Sequence, residues 1–548
     1  MTLTPIDSLT PINSPTSRTA WPALLVSTLL LAALQLWLRP LLPVDETRYL
    51  SVAWEMWSRG DFLVPYLNGE PYSHKPPLLF WLVHGVWALT GVSELAARLL
   101  PVLISVLALW LSAGLASRLW PGQAASVGTL VPWLLLGGLF WNNFFTLLQF
   151  DLLLVVAALL AWFGVLEAVR APLRGWLLAG AAIGLGILAK GPVILVPVLP
   201  AILLAPWWAR DSRPVGWPAW YAGGLFALLL GAGIALSWAM PAAMAGGEVY
   251  RQAIFWGQSA GRIVSSFAHP GPWWSYLVWL PLMWLPWALW PALWKAALQG
   301  RSADDGIRFC AVVIVPALLI FSVISGKQGK YLLPLLPLTG LLCARWLAAA
   351  DHEARRYPLH YVGMLLVLTA LVLLALPWLP GGPDWLRQVQ SMWGMALLVW
   401  GGVFFALNLK LAAAVRGAAL AMLLWTATLY LALVPQLAPQ YDLAPISRVL
   451  SGLQCSDRKL AWLGKYHGQF HFLGRLHGRI EPVDERGRLY DWLDGNTDGY
   501  LLVNYKSLQP DIPDDLLIQP YRGGSLVLWP ASRLRRDPQR LDALSGNA

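Results

Sequence analysis

Residues 151–200 read DLLLVVAALLAWFGVLEAVRAPLRGWLLAGAAIGLGILAKGPVILVPVLP. Long apolar runs fill this segment, and its basic residues stand in the short gaps between the runs. An α-helix needs about 20 apolar residues to cross a hydrocarbon core of about 30 Å. We therefore predict three consecutive membrane-spanning helices in this part of the chain, at 151–168, 175–189 and 192–209.

The same pattern continues on both sides of this segment. Of the 548 residues, 57% are hydrophobic and only 12% are charged, so the chain is far more apolar than an average soluble domain. The other predicted spans are 21–42, 96–118, 124–141, 217–239, 275–298, 309–325, 331–349, 358–377, 388–407 and 412–434. The sequence thus predicts an all-α polytopic membrane protein with about 13 transmembrane helices.

The charged residues between the spans predict the orientation of the chain. With the N-terminus in the cytoplasm, most loop cations fall on the cytoplasmic side, in agreement with the positive-inside rule. These cations are Arg118, Arg170, Arg174, Arg210, Arg213, Lys295, Arg301, Arg308, Arg345, Arg355, Arg356, Lys410 and Arg416. The charges expected on the periplasmic side are Asp45, Arg48, Lys75, Asp151, Lys190, Arg262, Lys327 and Lys330. The net charge of +10 therefore reflects topology, and we do not expect nucleic-acid binding.

A change of composition near residue 439 predicts two domains. We assign residues 1–438 to a transmembrane domain, with a long periplasmic loop at 43–95, and residues 439–548 to a soluble periplasmic domain. The soluble part contains strand-like runs separated by turn residues: KLAWLG (459–464), DGYLLVNY (498–505) and GSLVLWP (524–530). These runs predict a small α/β fold.

The loop at 43–95 is predicted to form helices at the membrane interface. In ETRYLSVAWEMWSRGD (46–61), apolar and aromatic residues recur at helical spacing, and PPLLFWLVHGVWALTG (76–91) is mostly apolar. Tryptophan and tyrosine are enriched where a membrane meets water. Three cysteines, Cys310, Cys343 and Cys455, are widely spaced, and we expect no disulfide among them.

The same loop holds the strongest candidates for chemistry. Asp45 and Glu46, in VDETRY (44–49), are suited to the positive end of a helix, where acids are stabilised. Asp45 is equally suited to act as a general base on an incoming hydroxyl or amine. Lys75 precedes two prolines that fix an extended backbone, and it is either a solvated lysine or a ligand of a lipid-carrier phosphate.

Later ionisable residues are candidates of the same kind. Asp151 begins an apolar span, where a charge is costly without a partner; it either caps a helix, orients an acceptor or holds a basic partner. Lys190 interrupts two apolar runs and either reaches the interface as a structural residue or belongs to the site. Arg262 in SAGRIVSS and Tyr331 in GKQGKYLLPLLP are weaker signals on their own.

Metal and nucleotide sites have little support in the sequence. His467, His471 and His477 would be too far apart to share one zinc ion if their segment were a strand, so we predict no metal ligands. No P-loop, dinucleotide fingerprint, CxxC pair or HExxH is present. No cofactor is assigned, and the sequence leaves a requirement for a divalent cation open.

The ordered motifs resemble those of the GT-C membrane glycosyltransferases. They are VDETRYL…WSRGDFLVPYLNGEPYSHKPPLLFW, FDLLLVV, LAKGPVILV and SGKQGKYLLPLLP. The set is most similar to the lipid A aminoarabinose transferase group, which is related to the protein O-mannosyltransferases. One position departs from the pattern, because His74 stands before Lys75 where members of the family commonly carry a glutamate.

The resemblance implies roles for individual residues. Asp45 matches the catalytic or acceptor-orienting carboxylate, and Asp151 matches the acid of the second loop. Lys75, Arg262 and Tyr331 match the residues that contact the carrier phosphate. The remaining substrate-binding positions implied by the motifs are Arg48, Tyr49, Tyr72 and Lys190.

The implied activity is inverting transfer of a sugar, such as 4-amino-4-deoxy-L-arabinose, from polyprenyl (undecaprenyl) phosphate to lipid A or another envelope acceptor. We expect a monomer, surrounded by membrane lipids, in the bacterial inner membrane with its active site facing the periplasm. Two alternatives remain open at this point: a flippase or transporter for polyprenyl lipids, and a transferase acting on protein or another glycan.

Overall fold

A computed structural model describes residues 15–545, except 213, 215, 258–270, 301–303, 484, 485, 507–511 and 514. The chain divides into two compact units. Unit 1 holds the residues up to Leu36 together with Ser73–Leu79 and Thr90–Ala432, and unit 2 holds Trp37–Tyr72, Phe80–Leu89 and Leu433–Ala548. This division differs from a single boundary at residue 438, because most of the first loop belongs to the same unit as the C-terminal residues.

Within the described residues, nine helical segments are long and apolar enough to cross a membrane. They are Trp21–Leu38, Glu94–Leu119, Asp151–Ala168, Pro172–Lys190, Trp217–Ala245, Asp305–Val323, Gly329–Ala350, His360–Trp378 and Leu411–Cys455. The first of these lies in the helix Pro15–Leu38, and the last contains the helix Leu411–Leu437. The chain is therefore a multi-pass membrane protein, and the predicted fold class is confirmed.

Four of the predicted spans are not among these nine segments, because they form shorter or interrupted helices. The helices at these places are Ala124–Leu136 and Leu139–Phe144, Leu195–Leu203 and Ala205–Trp208, Ser275–Met283 and Pro291–Gln299, and Ser391–Ala406. Proline explains the interruption at 275–298, since Pro286 and Pro291 offer no N–H to an α-helical hydrogen bond. The hydropathy pattern thus located these segments but not their breaks.

Close packing of the helices in unit 1 depends on glycine. A Cβ atom at Gly164 would lie 2.7 Å from the carbonyl oxygen of Gly175, on the neighbouring helix. A Cβ atom at Gly180 would lie 2.9 Å from the carbonyl oxygen of Ala227. Because small residues allow helix backbones to approach closely inside a membrane, these contacts fix the helix Pro172–Lys190 between its two neighbours.

The helix Leu336–Ala350 makes up most of the segment from Gly329, and two short helices of unit 1 are Gly247–Gln252 and Asp384–Arg387. Two strands, here numbered together with those of unit 2, pair antiparallel: β3 (Tyr357–Pro358) and β4 (Asn408–Leu409). The interior of this unit also holds a polar network. Thr146 Oγ1 donates to Gln35 Oε1 (2.7 Å), and Gln35 Nε2 donates to the carbonyl oxygen of Asn142 (2.9 Å), which satisfies these polar groups away from water.

Unit 2 begins with the first loop. The helix Asp45–Arg59 is amphipathic, and its residues Tyr49, Val52, Ala53 and Met56 are buried, as their spacing predicted. Strands β1 (Tyr66–Leu67) and β2 (Glu70–Pro71) form a hairpin, and the helix Leu78–Thr90 follows. Both stretches predicted as loop helices are therefore helical, and their position at the membrane interface stays a prediction.

The C-terminal part of unit 2 is a five-stranded mixed sheet in the order β6-β5-β7-β9-β8. Its strands are β5 (Leu460–Leu463), β6 (Ile480–Val483), β7 (Tyr500–Tyr505), β8 (Leu517–Tyr521) and β9 (Gly524–Pro530), and the three strand-like runs of the sequence coincide with β5, β7 and β9. β5 pairs parallel with β6 and β7, and β9 pairs antiparallel with β7 and β8. The helices here are Ala444–Cys455, His471–Gly474, Arg486–Gly495, Ala531–Leu534 and Pro538–Ser545.

Both faces of this sheet carry a hydrophobic core. On β7, Leu502 belongs to the cluster that also contains Ile446 and Phe470, whereas Leu501 and Val503 belong to a second cluster. Successive side chains of a strand point to opposite faces of the sheet. The small α/β fold predicted for the C-terminal residues is therefore a layered sheet covered on both faces.

Candidate functional site

Asp151, Lys190 and Tyr331 meet in unit 1. Asp151 begins the helix Asp151–Ala168 and Lys190 ends the helix Pro172–Lys190, so the two residues complement the dipoles of their helices. Lys190 Nζ donates to Asp151 Oδ1, and only 9% and 3% of these two side chains are exposed. The ammonium group also lies 4.9 Å from the ring centroid of Tyr331. A buried ion pair with an aromatic neighbour thus occupies the helix ends.

Lysines from three separate segments of unit 1 lie next to residues 149–151. Gln149 Oε1 accepts a hydrogen bond of 3.1 Å from Lys330 Nζ. Lys75 Nζ lies 5.8 Å from the ring centroid of Phe150. Asp151 forms the ion pair with Lys190 described above. We call the three residues the lysine cluster: Lys75, Lys190 and Lys330. Three ammonium groups thus lie near residues 149–151, and fixed cations of this kind attract an anionic ligand.

A second group of candidates lies in unit 2. Arg48 Nη2 and Asp45 Oδ1 form an ion pair of 2.5 Å, one helical turn apart, and the guanidinium carbon lies 5.6 Å from the ring centroid of Tyr49. Burial disfavours the charge of Arg48, but Tyr72, Tyr49 and Asp45 outweigh it and raise the pKa of Arg48. Asp45 remains one-third exposed. Its carboxylate is therefore oriented by a permanent cation and is still accessible.

Glu46 has a different role from its neighbour. The helix Asp45–Arg59 has Val44 as its N-cap residue, with no hydrogen bond from a capping side chain. Glu46 is instead buried and pairs with Arg39, and its Oε2 accepts the backbone N–H of Leu42 at 3.0 Å. Glu46 thus lies in the first turn of the helix, at its positive end as predicted, but its side chain binds Arg39 and the N–H of Leu42 and does not cap the helix.

Two predicted periplasmic cations are not placed in either group. Lys327 is buried and donates to the backbone carbonyl oxygens of Ser322 and Ile324 at the end of the helix Asp305–Val323. It is thus a C-terminal helix cap, a position where cations are stabilised. Arg262 lies outside the described residues, so its match to a phosphate ligand stays a prediction.

The histidine segment is not a strand, which corrects the premise of the distance argument made from the sequence. His467 lies in a loop and His471 begins the helix His471–Gly474. His471 Nδ1 and the hydroxyl of Tyr466 are hydrogen-bonded at 2.8 Å. Burial, with the positive charge of Arg48 and a neighbouring lysine, lowers the pKa of His467, so its imidazole is neutral at neutral pH.

The described residues contain no group of three or more His, Cys, Asp or Glu side chains arranged to hold a metal ion. His74, which replaces the glutamate common in the resembling family, is exposed.

Some contacts of the site were not anticipated from the sequence. Lys330 was assigned only to a side of the membrane, and Gln149 and Phe150 were not singled out at all. A signal was available, since Gln149 and Asp151 are polar residues in an otherwise apolar run. Arg39 was missed as well, although it is a charged residue inside the predicted span 21–42, and its partner Glu46 lies in the loop that follows.

Comparisons with known proteins agree with this architecture. Residues 74–238 match the family model described as dolichyl-phosphate-mannose-protein mannosyltransferase. An undecaprenyl phosphate-alpha-4-amino-4-deoxy-L-arabinose arabinosyl transferase of Pseudomonas savastanoi pv. phaseolicola is 31% identical over 65% of this chain and 66% of that relative. The corresponding transferase 1 of Pseudomonas fluorescens is 28% identical over 68% of this chain and 65% of that relative. The chain thus spans slightly less than two thirds of these relatives.

Solved structures of similar fold extend the likeness over nearly the whole chain. ArnT from Cupriavidus metallidurans, bound to undecaprenyl phosphate, superposes with a TM-score of 0.73 at 20% identity, covering 93% of this chain and 98% of that chain. Its apo structure gives a TM-score of 0.71. At this identity the likeness concerns the fold. By its helices and this shared fold, the chain is a multi-pass membrane protein with the fold of ArnT, and in sequence it is similar to undecaprenyl phosphate-alpha-4-amino-4-deoxy-L-arabinose arabinosyl transferases.

Proposed function

We propose that this protein transfers 4-amino-4-deoxy-L-arabinose from undecaprenyl phosphate to lipid A on the periplasmic side of the inner membrane. The convergence of the lysine cluster on residues 149–151 carries the proposal. The names of the relatives supply the donor, and the motif resemblance supplies the acceptor. The protein acts as a monomer in this proposal, within the lipid bilayer that its apolar helices require.

The lysine cluster stabilises the leaving group. When the bond between the anomeric carbon and the carrier oxygen breaks, negative charge grows on the polyprenyl phosphate. Fixed ammonium groups in a partly dry site stabilise such charge more strongly than water does. The phosphate is already ionised at neutral pH, so it departs without being protonated. Lys75 and Lys330 bind the phosphate, while Asp151 fixes the position of Lys190 and Tyr331 covers its ammonium group.

Asp45 activates or orients the acceptor. Its ion pair with Arg48 orients the carboxylate, and its partial exposure leaves an oxygen for a substrate. Toward a hydroxyl or amine, Asp45 removes the proton as a general base. Toward a lipid A phosphate, which is already an anionic nucleophile, Asp45 and Arg48 instead hold the attacking group in place.

The test is mass spectrometry of lipid A from cells with and without the protein. We expect an added mass of one aminoarabinose residue, which disappears when Asp45→Asn replaces the wild type. Lys75→Ala should lower turnover of the purified enzyme by roughly 100-fold, or about 3 kcal/mol in the transition state, and weaken carrier binding. The matched control is Lys410→Ala, since Lys410 is exposed and far along the chain from the cluster.

Two results would overturn the proposal. Unchanged kinetics of Lys75→Ala would remove the lysine from the phosphate site. If lipid A and other envelope acceptors gained no sugar while the carrier lipid still changed sides of the membrane, the protein would be a flippase.

A further inference from the structure

A cleft of about 540 Å³ opens in the C-terminal part of unit 2, and it has no part in the transfer chemistry proposed above. The end of the helix Ala444–Cys455, the segment 475–479 and the helix Arg486–Gly495 contribute to its walls. We call it the basic cleft. Its volume falls within the roughly 300–1,000 Å³ that is usual for small-molecule sites.

Cations outnumber carboxylates on the walls of the basic cleft. Four lysine or arginine side chains line it against two carboxylates, and two further acids outside the lining, Asp498 and Glu70, pair with Arg458 and Arg479. The lining residues with charge are Arg458, Lys459, Arg475, Arg479, Asp457 and Glu481. Among the described residues, Lys459 makes no ion pair. The pairs of Arg458 with Asp498 and of Arg479 with Glu70 and Glu481 lie at the exposed surface, where such pairs contribute little to stability.

Arg475 is held in place by its surroundings. Its guanidinium carbon lies 4.0 Å from the ring centroid of Phe472 and 5.2 Å from that of Trp54, and its Nη1 donates to the carbonyl oxygen of Phe472 at 2.7 Å. Its backbone has φ = 51°, in the left-handed region that a non-glycine residue adopts at a cost in free energy. Strained backbone of this kind is often retained at binding sites.

The uncharged part of the lining is also well ordered. Gln454 and Gly478 exchange two hydrogen bonds of 2.8 and 3.2 Å, which attach one wall to the helix Ala444–Cys455. Trp492 offers an aromatic surface, and Asn496 donates to the carbonyl oxygen of Trp492 at 2.9 Å. Guanidinium groups that bind phosphate or carboxylate in a forked arrangement, beside an aromatic wall, suit an anionic carbohydrate.

We propose that the basic cleft binds a saccharide of one or two rings that bears a phosphate or carboxylate group. Such a saccharide occurs in two sources, namely the headgroup of a glycolipid and a soluble sugar phosphate. Both present the same chemistry to the cleft. Binding there requires no transfer reaction, so this proposal stands or falls independently of the enzymatic activity.

A native cysteine provides the assay. Cys455 lines the basic cleft and is exposed, whereas Cys310 and Cys343 are buried. Maleimide should therefore label the purified full-length protein at Cys455, and Cys455→Ser should abolish the signal. The probes are glucosamine 1-phosphate and lipid A in detergent, compared with glucosamine and inorganic phosphate alone.

We expect at least one phosphorylated probe to slow labelling of Cys455, with glucosamine having no effect. The double substitution Lys459→Gln with Arg479→Gln should raise the half-protecting concentration about tenfold or more. Arg448→Gln is the matched control. Arg448 is exposed on the helix Ala444–Cys455, which also carries Cys455, but it does not line the cleft. Unchanged labelling without a probe will show that each variant keeps its fold.

The two probes separate the sources of the ligand. Protection by lipid A alone supports a glycolipid headgroup, and protection by glucosamine 1-phosphate supports a soluble or headgroup sugar phosphate. The proposal is overturned if neither probe protects at concentrations up to about 10 mM. It is also overturned if inorganic phosphate protects as well as the sugar phosphate, or if the double substitution leaves protection unchanged.

Discussion

At the scale of single residues, we predict that the ion pair between Asp151 and Lys190 serves both stability and function. Both side chains are almost fully buried, so removing one partner leaves an uncompensated charge in a medium of low dielectric constant. Asp151→Asn or Lys190→Met should each destabilise the folded protein by about 3 kcal/mol. The measurement is thermal unfolding of the purified protein in detergent.

The double substitution Asp151→Leu with Lys190→Met separates the two roles. It removes both charges together, so the double variant should regain much of the stability that each single substitution loses. Sugar transfer should be lost in the double variant, because the lysine cluster lacks Lys190. Recovery of both stability and transfer would show that the pair is only structural.

His471 makes the stability of unit 2 depend on pH. Burial lowers the pKa of His471 to about 4, against about 6.5 in an unfolded chain. The unfolded state therefore binds more protons between these values, and stability falls as the pH falls from 6.5 towards 4. At pH 5 the loss should be about 2 kcal/mol, and above pH 6.5 it should vanish.

The variant His471→Gln tests this dependence, since glutamine can keep a hydrogen bond to Tyr466 but does not titrate. The wild type should be the more stable protein at pH 7.5, and the difference in melting temperature should shrink at pH 5. A difference that is the same at both pH values would contradict the assignment of a buried neutral imidazole.

The sequence identified some residues of the candidate site but not their partners. Asp151 and Lys190 stood out because charge is rare and costly in apolar runs, and this physical rule needs no structure. The identity of a partner does need one: nothing local indicates that Lys330 reaches Gln149, which is 181 residues away. The functional roles of these residues stay predictions.

At the scale of helices, the carboxylate of Asp304 accepts hydrogen bonds from residues in or next to three helices. Asp304 is the N-cap of the helix Asp305–Val323, where its Oδ1 accepts the N–H of Ile307 at 2.8 Å. The same group accepts from Trp120, after the helix Glu94–Leu119, at 2.9 Å and from Arg345 at 3.0 Å. Capping and a charged hydrogen bond each contribute on the order of 1 kcal/mol.

We therefore expect Asp304→Ala to cost about 2 kcal/mol, and Asp304→Asn to cost about half as much because asparagine still caps the helix. Chemical or thermal unfolding in detergent measures both. Asp211→Ala is the control, since Asp211 is three-quarters exposed and its pair with Arg308 should contribute little. Equal losses for alanine and asparagine at position 304 would show that the cap contributes nothing.

The helices themselves were largely predictable. Residues 151–168 were predicted as a span and form a helix with the same bounds, because hydropathy reports directly on the length that a membrane requires. The break at 275–298 was missed, although its prolines were visible, since hydropathy alone does not register the loss of a backbone donor.

At the scale of the whole chain, unit 2 is assembled from distant segments. Trp54 Nε1 donates to the carbonyl oxygen of Leu476 at 3.0 Å, and Asn68 exchanges hydrogen bonds of 2.8 and 2.9 Å with Ile480. More than 400 residues separate each pair along the chain. Local periodicity carries no information about such pairings, so the sequence suggested a division at residue 438 that follows hydropathy alone.

The orientation of the whole molecule can be tested with its native thiol. Cys455 is exposed in unit 2, while 0% of Cys310 and 4% of Cys343 are exposed, so a membrane-impermeant maleimide should react at one position. The positive-inside pattern places Cys455 in the periplasm. Labelling should therefore proceed in intact spheroplasts.

The control places a thiol on the opposite side. In a Cys455→Ser background, Arg170→Cys introduces an exposed cysteine in a loop predicted to be cytoplasmic. It should react only after the membrane is opened with detergent. The reverse pattern, with Cys455 protected and position 170 accessible in intact spheroplasts, would invert the topology. Because all loops alternate along one chain, that result would also move Asp45 and Lys75 to the cytoplasmic side and exclude transfer to a periplasmic acceptor.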